Sequence, residues 1–174
     1  MKALITAAGV ALIAAAAPGL AQAQTAVYGG IGYAHTDVEG ADLGAIQGRL
    51  GAKFTPNLGI EGELAGGVAD DTVTVLGAPV NVELKHQAAV YGVGFLPVAP
   101  NIDLIARVGY GTSKVKASSG GVAASADGES FNYGVGAQWF ADEKNGVRAD
   151  YTRHDFTDDG GEADVWSLGY VRKF

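Results

Sequence analysis

Apolar residues fall at every second position through eight separate runs of this 174-residue chain, and none of the runs carries a helical period. A period of two sends alternate side chains to opposite faces of a strand. The chain must therefore build sheet with one apolar face. The runs are 26–36, 45–55, 58–68, 83–96, 102–112, 129–141, 147–156 and 164–174. In the first, Val27, Ile31 and Tyr33 oppose Gly30, Gly32 and Ala34. In the second, Ile46, Leu50, Ala52 and Phe54 oppose Gln47, Arg49 and Lys53. Leu58, Ile60, Leu64 and Val68 then oppose Glu61 and Glu63. In the fourth run Tyr91, Val93 and Phe95 are read as the apolar side, with Gly92 and Gly94 opposite. Ile102, Leu104, Ala106, Val108 and Tyr110 oppose Asp103, Arg107 and Gly109. Phe131, Tyr133, Val135, Ala137 and Trp139 follow, then Val147, Ala149 and Tyr151 opposite Arg148, Asp150 and Thr152.

The connectors alternate in length. Those at 56–57, 97–101 and 142–146 are short, with Pro56-Asn57 and Asn145-Gly146 as turn chemistry. Those near 37–44, 69–82, 113–128 and 157–163 are longer and polar. This predicts an up-and-down meander of eight strands, with one plain end and one elaborated end. Both termini then lie at the plain end. No linker interrupts residues 24–174, which read as a single domain.

Residues 1–23 stand apart. Lys2 begins a short Ala-rich apolar stretch, Pro18-Gly19 ends it, and Ala21 and Ala23 form an A-x-A cleavage pattern. Residues 1–23 are thus expected to be a cleaved export signal, with the cut before Gln24. Removing it takes away one lysine and no acid, so the mature chain is more acidic than the −7 of the whole sequence. A strongly acidic chain without a basic patch argues against nucleic acid as a partner. The chain has no cysteine, so an exported fold has no disulfide to staple it and no thiol for a lipid anchor. Beyond the leader, no apolar run reaches the roughly 18 residues of a membrane helix.

Alternation does not say which face looks inward. A soluble eight-stranded barrel is apolar inside, and a membrane barrel inverts that. The face opposite the apolar one is built of small residues, among them Gly30, Gly32, Ala34, Gly134 and Gly136, broken by a few long charged chains. An interior of eight strands is just wide enough for side chains to fill, and small residues leave room there for a few long ones. The charges on that face are mid-strand and of both signs: Arg49, Glu61, Glu63, Arg107 and Asp150. Buried charges require partners, so these five are expected to form an ionic network across the lumen. Aromatics gather toward the ends of the apolar face, including Tyr33, Phe54, Phe95, Tyr110, Phe131, Trp139, Tyr151, Trp166 and Phe174, as a membrane girdle does. The expected fold is an all-β, eight-stranded antiparallel up-and-down transmembrane β-barrel. Closure leaves no unpaired edge in hydrocarbon.

The segments "TPNLGIEGELA", "LPVAPNIDLIARVGYG", "FNYGVGAQW" and "WSLGYVRKF" resemble the small eight-stranded outer-membrane proteins of Gram-negative bacteria. These are related to the OmpA transmembrane domain and to the outer membrane protein beta-barrel domain family. The resemblance covers the whole mature chain and implies an integral outer-membrane location. It implies contact with outer-membrane lipid and lipopolysaccharide, and with the barrel-assembly machinery during biogenesis. In that family a terminal aromatic with apolar residues at alternate preceding positions is the assembly signal. Trp166, Leu168, Tyr170 and Phe174 match it, and Arg172 departs from it. OmpA's periplasmic peptidoglycan-binding domain has no counterpart in this sequence, so its tethering role is not expected here.

Some barrels of this size are lipid A deacylases with a His and a nearby Ser. His154 in "YTRHDFTDDG" is the candidate, but no H-x-S pattern follows it. His35 and His86 are scattered singly, without metal-site spacing. Acidic residues gather at the elaborated end: Asp37, Glu39 and Asp42; Asp70 and Asp71; Asp155, Asp158, Asp159, Glu162 and Asp164. They lack the order of an EF-hand loop. They read as a solvated surface, or as a place where divalent cations bridge to anionic lipopolysaccharide. No catalytic residue, cofactor or metal site is assigned. The expected function is non-enzymatic: an envelope-structural or surface-interaction barrel with a plugged lumen. A narrow low-conductance pore and a lipid A-modifying enzyme are the alternatives.

Overall fold

The computed structural model describes residues 26–38, 41–69, 71–75, 78–119, 122–157 and 161–174. Among these residues lie nine strands: β1 (Ala26–Val38), β2 (Ala41–Lys53), β3 (Leu58–Ala69), β4 (Asp71–Val75), β5 (Ala78–Ala99), β6 (Ile102–Ser119), β7 (Val122–Phe140), β8 (Asn145–Phe156) and β9 (Glu162–Lys173). Neighbours in sequence pair antiparallel except β3 and β4; β3 pairs instead with β5, and β1 pairs with β9. The sheet is therefore a closed barrel of eight staves. β4 carries on past the end of β3 and pairs only with β5 among the strands.

Closure runs through the last residues of the chain. β1 and β9 register from Tyr28↔Lys173 to Asp37↔Asp164. The Phe174 N–H then donates to the Val27 carbonyl at 2.9 Å. Gly32 and Gly169 face each other in this seam, and a Cβ on Gly32 would lie 2.9 Å from the Gly169 Cα. Glycine on both sides lets the two strands approach that closely.

Outward positions carry the apolar residues. Ile31, Leu64, Val135 and Leu168 are all more than half exposed, at 61%, 53%, 60% and 66%. A continuous apolar exterior of this kind is stable only against lipid. Trp166, Leu168, Tyr170 and Phe174 all lie on it. The short turns sit at one end, which in such barrels is the periplasmic one. There the Asp142 carboxylate accepts from the Lys144 and Asn145 amides at 2.8 and 2.6 Å and closes the β7–β8 turn.

Two expectations require correction. Along β5, Tyr91, Val93 and Phe95 point inward and are buried, while Val90, Leu96 and Val98 face out. Both faces of this strand are apolar, so alternation gave no preference between them. Its register decides, because Val93 pairs Arg107 and Phe95 pairs Ile105, both buried. Phe95 accordingly leaves the aromatic girdle and joins the lumen. The second correction concerns segments read as long loops. Residues 41–44, 71–75, 78–82, 113–119 and 122–128 are hydrogen-bonded strand. Extended β5, β6 and β7, with β4, rise past the end of β8 as a four-stranded sheet at the extracellular end. The signal was present in sequence, since Val73 and Val75, then Val80, Val82 and Leu84, recur at every second position, and Val82, Leu84 and Val115 belong to or pack against one buried cluster. Of the residues singled out by sequence, Lys2, Pro18, Gly19, Ala21, Ala23, Gln24, Glu39, Asp70, Asp158 and Asp159 lie outside the described residues.

Candidate functional site: a closed lumen

Inward positions at mid-height come from β2, β3, β6 and β8. Glycine on an adjacent strand faces three of these charged residues, with Gly30 paired to Arg49, Gly134 to Arg107 and Gly136 to Asp150. Arg49 Nε lies 2.7 Å from Glu63 Oε2, and its Nη1 lies 2.5 Å from Asp150 Oδ2. Its Nη2 donates to Ser167 Oγ at 2.9 Å. Arg107 bridges the two glutamates, with Nη1 3.2 Å from Glu61 Oε1 and Nη2 3.0 Å from Glu63 Oε2. Arg148 spans Glu61 and Asp150, at 2.6 and 3.0 Å. Three guanidinium groups thus meet three carboxylates, and the belt is formally neutral. Charge balance with several hydrogen bonds per ion is the condition under which buried charges are tolerated.

The structure brings all five sequence-predicted lumen residues, Arg49, Glu61, Glu63, Arg107 and Asp150, into one connected set. Sequence reasoning missed Arg148 as a member. The signal was present, since Arg148 shares the inward parity of Asp150 two residues on. It also missed two tyrosines. Tyr28 Oη donates to Glu61 Oε2 at 3.1 Å, and the Arg107 guanidinium stacks 3.8 Å from the Tyr91 ring centre. Room for the belt comes from glycine: a Cβ on Gly136 would sit 2.5 Å from Asp150 Oδ1.

Apolar layers cover the belt on both sides. One cluster begins level with the belt at Ala89 and Tyr91, which pair Glu63 and Glu61, and continues toward the periplasm through Tyr28, Val93, Phe95, Ile105, Phe140 and Val171. Lys53 lies 3.8 Å over the Phe95 ring and Lys173 lies 3.5 Å over the Phe140 ring, a pair of cations on an aromatic floor. Lys53 is held in place by Asp103 at 3.1 Å. Toward the outside, Ala34, Leu43, Ala45, Leu84 and Val165 form a second cluster. Between it and the belt lies a tier of buried polar residues, among them Gln47, Gln87, Ser130, Asn132 and His154. His154 faces this tier and not the lipid, at 2% exposure.

At the extracellular rim, His35 Nε2 lies 3.1 Å from Asp42 Oδ1, and the Asp42 amide donates to Asp71 Oδ2 at 3.1 Å. The second contact lowers the Asp71 carboxyl below the ordinary aspartate value. Arg153 pairs with Glu162 and lies 3.7 Å from Asp164. No group of three or more His, Cys, Asp or Glu among the described residues is arranged to hold a metal ion.

The profile of the outer membrane protein beta-barrel domain matches residues 4–174. This chain belongs to that family. It is an integral protein of the outer membrane. No curated protein sequence matches it. Among solved structures, Ail, the attachment invasion locus protein of Yersinia pestis, is 18% identical with a TM-score of 0.61 over 86% of this chain and 97% of that one. Neisserial surface protein A gives a TM-score of 0.63 at 9% identity, over 86% and 97% of the two chains. The N-terminal barrel domain of Pseudomonas aeruginosa OprF gives 0.62 at 10% identity with the same coverage. Ail has also been crystallised with the heparin analogue sucrose octasulfate. At these identities the likeness is one of fold.

Proposed function

We propose that this protein is a non-conducting, non-enzymatic barrel that serves the envelope through its outer surface and its extracellular sheet. The observation that carries the reading is the neutral arginine–carboxylate belt covered on both sides by apolar layers. A hydrated ion would have to displace at least one buried pair and one packed cluster. Eight staves also enclose too little space for an open channel, which takes about 16. The narrow-pore alternative needs a water path that this filling opposes.

The enzyme alternative asks for a histidine at the lipid boundary. His154 faces inward, between Asn132 on the paired strand and the Phe156 ring at 6.4 Å. A lipid substrate would have to enter the lumen to meet it. The export signal at residues 1–23, cut before Gln24, and the terminal assembly signal of Trp166, Leu168, Tyr170 and Phe174 are part of the same proposal. Mass measurement of the purified barrel checks the cut.

The surface role is tested by shortening the extracellular sheet. The hairpins at 72–81 and 115–126 are replaced by two-residue Asn-Gly turns, and correct folding is checked by heat-modifiable migration. Cells bearing the full and the shortened proteins are compared for attachment to heparin-coated and matrix-coated surfaces, and for detergent sensitivity. Attachment lost on shortening supports the surface role. Detergent sensitivity that rises only when the whole protein is deleted supports the envelope role. No change in either assay, for shortening or deletion, defeats the reading.

A further inference from the structure

We infer that the periplasmic mouth of the barrel is a binding site for a carboxylate with an N–H beside it, as in the C-terminal residue of a peptide. Lys53 on β2, Asp103 on β6 and Lys173 on β9 meet there over the aromatic floor. Lys53 Nζ and Gln138 Nε2 both reach Asp103 Oδ2, at 3.1 and 2.8 Å, so this carboxylate is occupied. Lys173 has no such anion. Its ammonium lies on the Phe140 ring, and no carboxylate among the described residues comes within 4.0 Å of it. Lys53 repels it more strongly than Asp103 attracts it. The other charges at this end leave it uncompensated: Asp142 accepts from the amides of its own turn, Glu143 is exposed on that turn, and Arg172 faces outward. A half-buried ammonium without a counter-charge calls for an anion, since a ring face attracts a cation without neutralising it.

Gln138 says what accompanies that anion. It is 3% exposed, and its Nε2 donates to Asp103. Its Oε1 is buried and accepts no hydrogen bond from the described residues. Turning the amide over brings no relief, because Oε1 would then face the Asp103 carboxylate. A buried acceptor left unmatched is costly. The mouth therefore lacks one anion and one N–H donor, around a single carboxylate. A phosphate or sulfate supplies the charge without the N–H. An amine supplies the N–H with the wrong charge. The C-terminal residue of a peptide supplies both, with its carboxylate on Lys173 and its amide N–H on Gln138 Oε1. Gly146 makes room for the ring that carries Lys173, since a Cβ there would lie 2.9 Å from Phe140 Cδ1. The site is at the opposite end from the extracellular sheet, and nothing in it depends on whether the lumen conducts.

The test is an amide-shift titration by NMR of the nitrogen-15-labelled barrel, refolded in an uncharged detergent. The probes are N-acetyl-alanyl-alanine, the same dipeptide with its C-terminus amidated, and acetate. The folded state is confirmed by heat-modifiable migration. The free acid should give saturable shifts at Gln138 and Lys173 together. The amidated dipeptide should give none at the same concentration, and acetate should bind more weakly and move Lys173 alone. Lys173→Ala should lower affinity for the free acid roughly tenfold or more, while Lys173→Arg should retain most of it. Gln138→Leu should weaken the free acid and leave acetate unchanged, a split that general loosening of the mouth would not produce. Equal binding of the free acid and its amide overturns the proposal. So does acetate binding as tightly as the dipeptide, because the mouth would then attract any anion. Unchanged affinity in Lys173→Ala, or no response to the free acid at all, overturns it as well.

Discussion

Arg148 on β8 reaches across the lumen to Glu61 on β3, with Nη1 2.6 Å from Oε2 between residues 87 apart in sequence. Both are buried. The contact ties together staves that share no backbone hydrogen bond. Replacing Arg148 by Ala leaves Glu61 and Asp150 short of a cation, and Glu61→Ala does the converse to two arginines. Breaking a buried pair from one side costs about 3 to 5 kcal/mol. Each single variant should therefore lower the unfolding free energy by that order in urea titration of the barrel in detergent. The double variant should lose less than the sum. Additive losses would mean that the two groups do not interact.

Phe95 on the periplasmic floor packs edge-on against Tyr28, with ring centres 5.9 Å apart. Phe95→Ala removes an aromatic from a closed layer, which typically costs about 3 to 5 kcal/mol. Phe95→Leu should recover most of it. The same urea titration checks this. A loss no larger than that of an exterior substitution would show that the floor is not packed.

The facing of β5 has a direct probe, because the chain contains no cysteine. Single cysteines at positions 90 and 93 should differ sharply in labelling by a lipid-soluble maleimide, with position 90 reactive and position 93 protected. Val90→Arg should destabilise the membrane-inserted barrel by about 2 to 4 kcal/mol if it lies near the midplane. The reverse pattern, with position 93 reactive and position 90 protected, would return β5 to the facing expected from its sequence.

That strand marks where sequence reading stops. Seven of the eight runs have one plainly apolar face, and the structure sets those faces outward. In β5 the chain is apolar at Val90, Tyr91, Val93, Phe95 and Leu96 alike, so period two carries no sign. The interior apolar layers depend on which strands reach one level of the lumen, and stagger is a property of pairing that spacing does not encode. The charge belt was more legible, since long charged residues among glycines have no other reason to sit mid-strand. Arg148 lies close to a turn, at the start of β8, and its reach of several ångströms into the lumen is a matter of side-chain length.

Asp142 in the β7–β8 turn gives a pH prediction. Its carboxylate accepts from the Asn145 side chain and from the Asn145 and Lys144 amides, which holds its pKa below the ordinary aspartate value. A lowered folded pKa contributes stability that is present above the unfolded value and lost as pH falls through the folded one. Amide exchange at Asn145 should therefore stay slow at neutral pH and quicken only below the ordinary aspartate range. Asp142→Ala should abolish the step. A midpoint at or above the ordinary value would contradict the turn geometry.

Phe174 should matter for assembly more than for final stability. Its amide extends the β1–β9 seam and its ring lies outside, 72% exposed. Deleting it should slow the appearance of heat-modifiable protein in cells and enlarge the urea-extractable fraction. Barrels that do form should unfold at nearly the wild-type urea concentration. A normal assembly rate would remove the residue from any signal.

Closure of the lumen is open to single-channel recording in a planar bilayer. Insertion is first verified by protease protection and heat-modifiable migration. The wild-type barrel should be silent. Flickering, cation-biased openings should follow when Arg107 and Arg148 are replaced together by Ala, in whatever fraction still folds. Reproducible conductance steps from the unaltered protein, with a selectivity that changes on Arg49→Ala, would contradict the account and make the belt a selectivity filter.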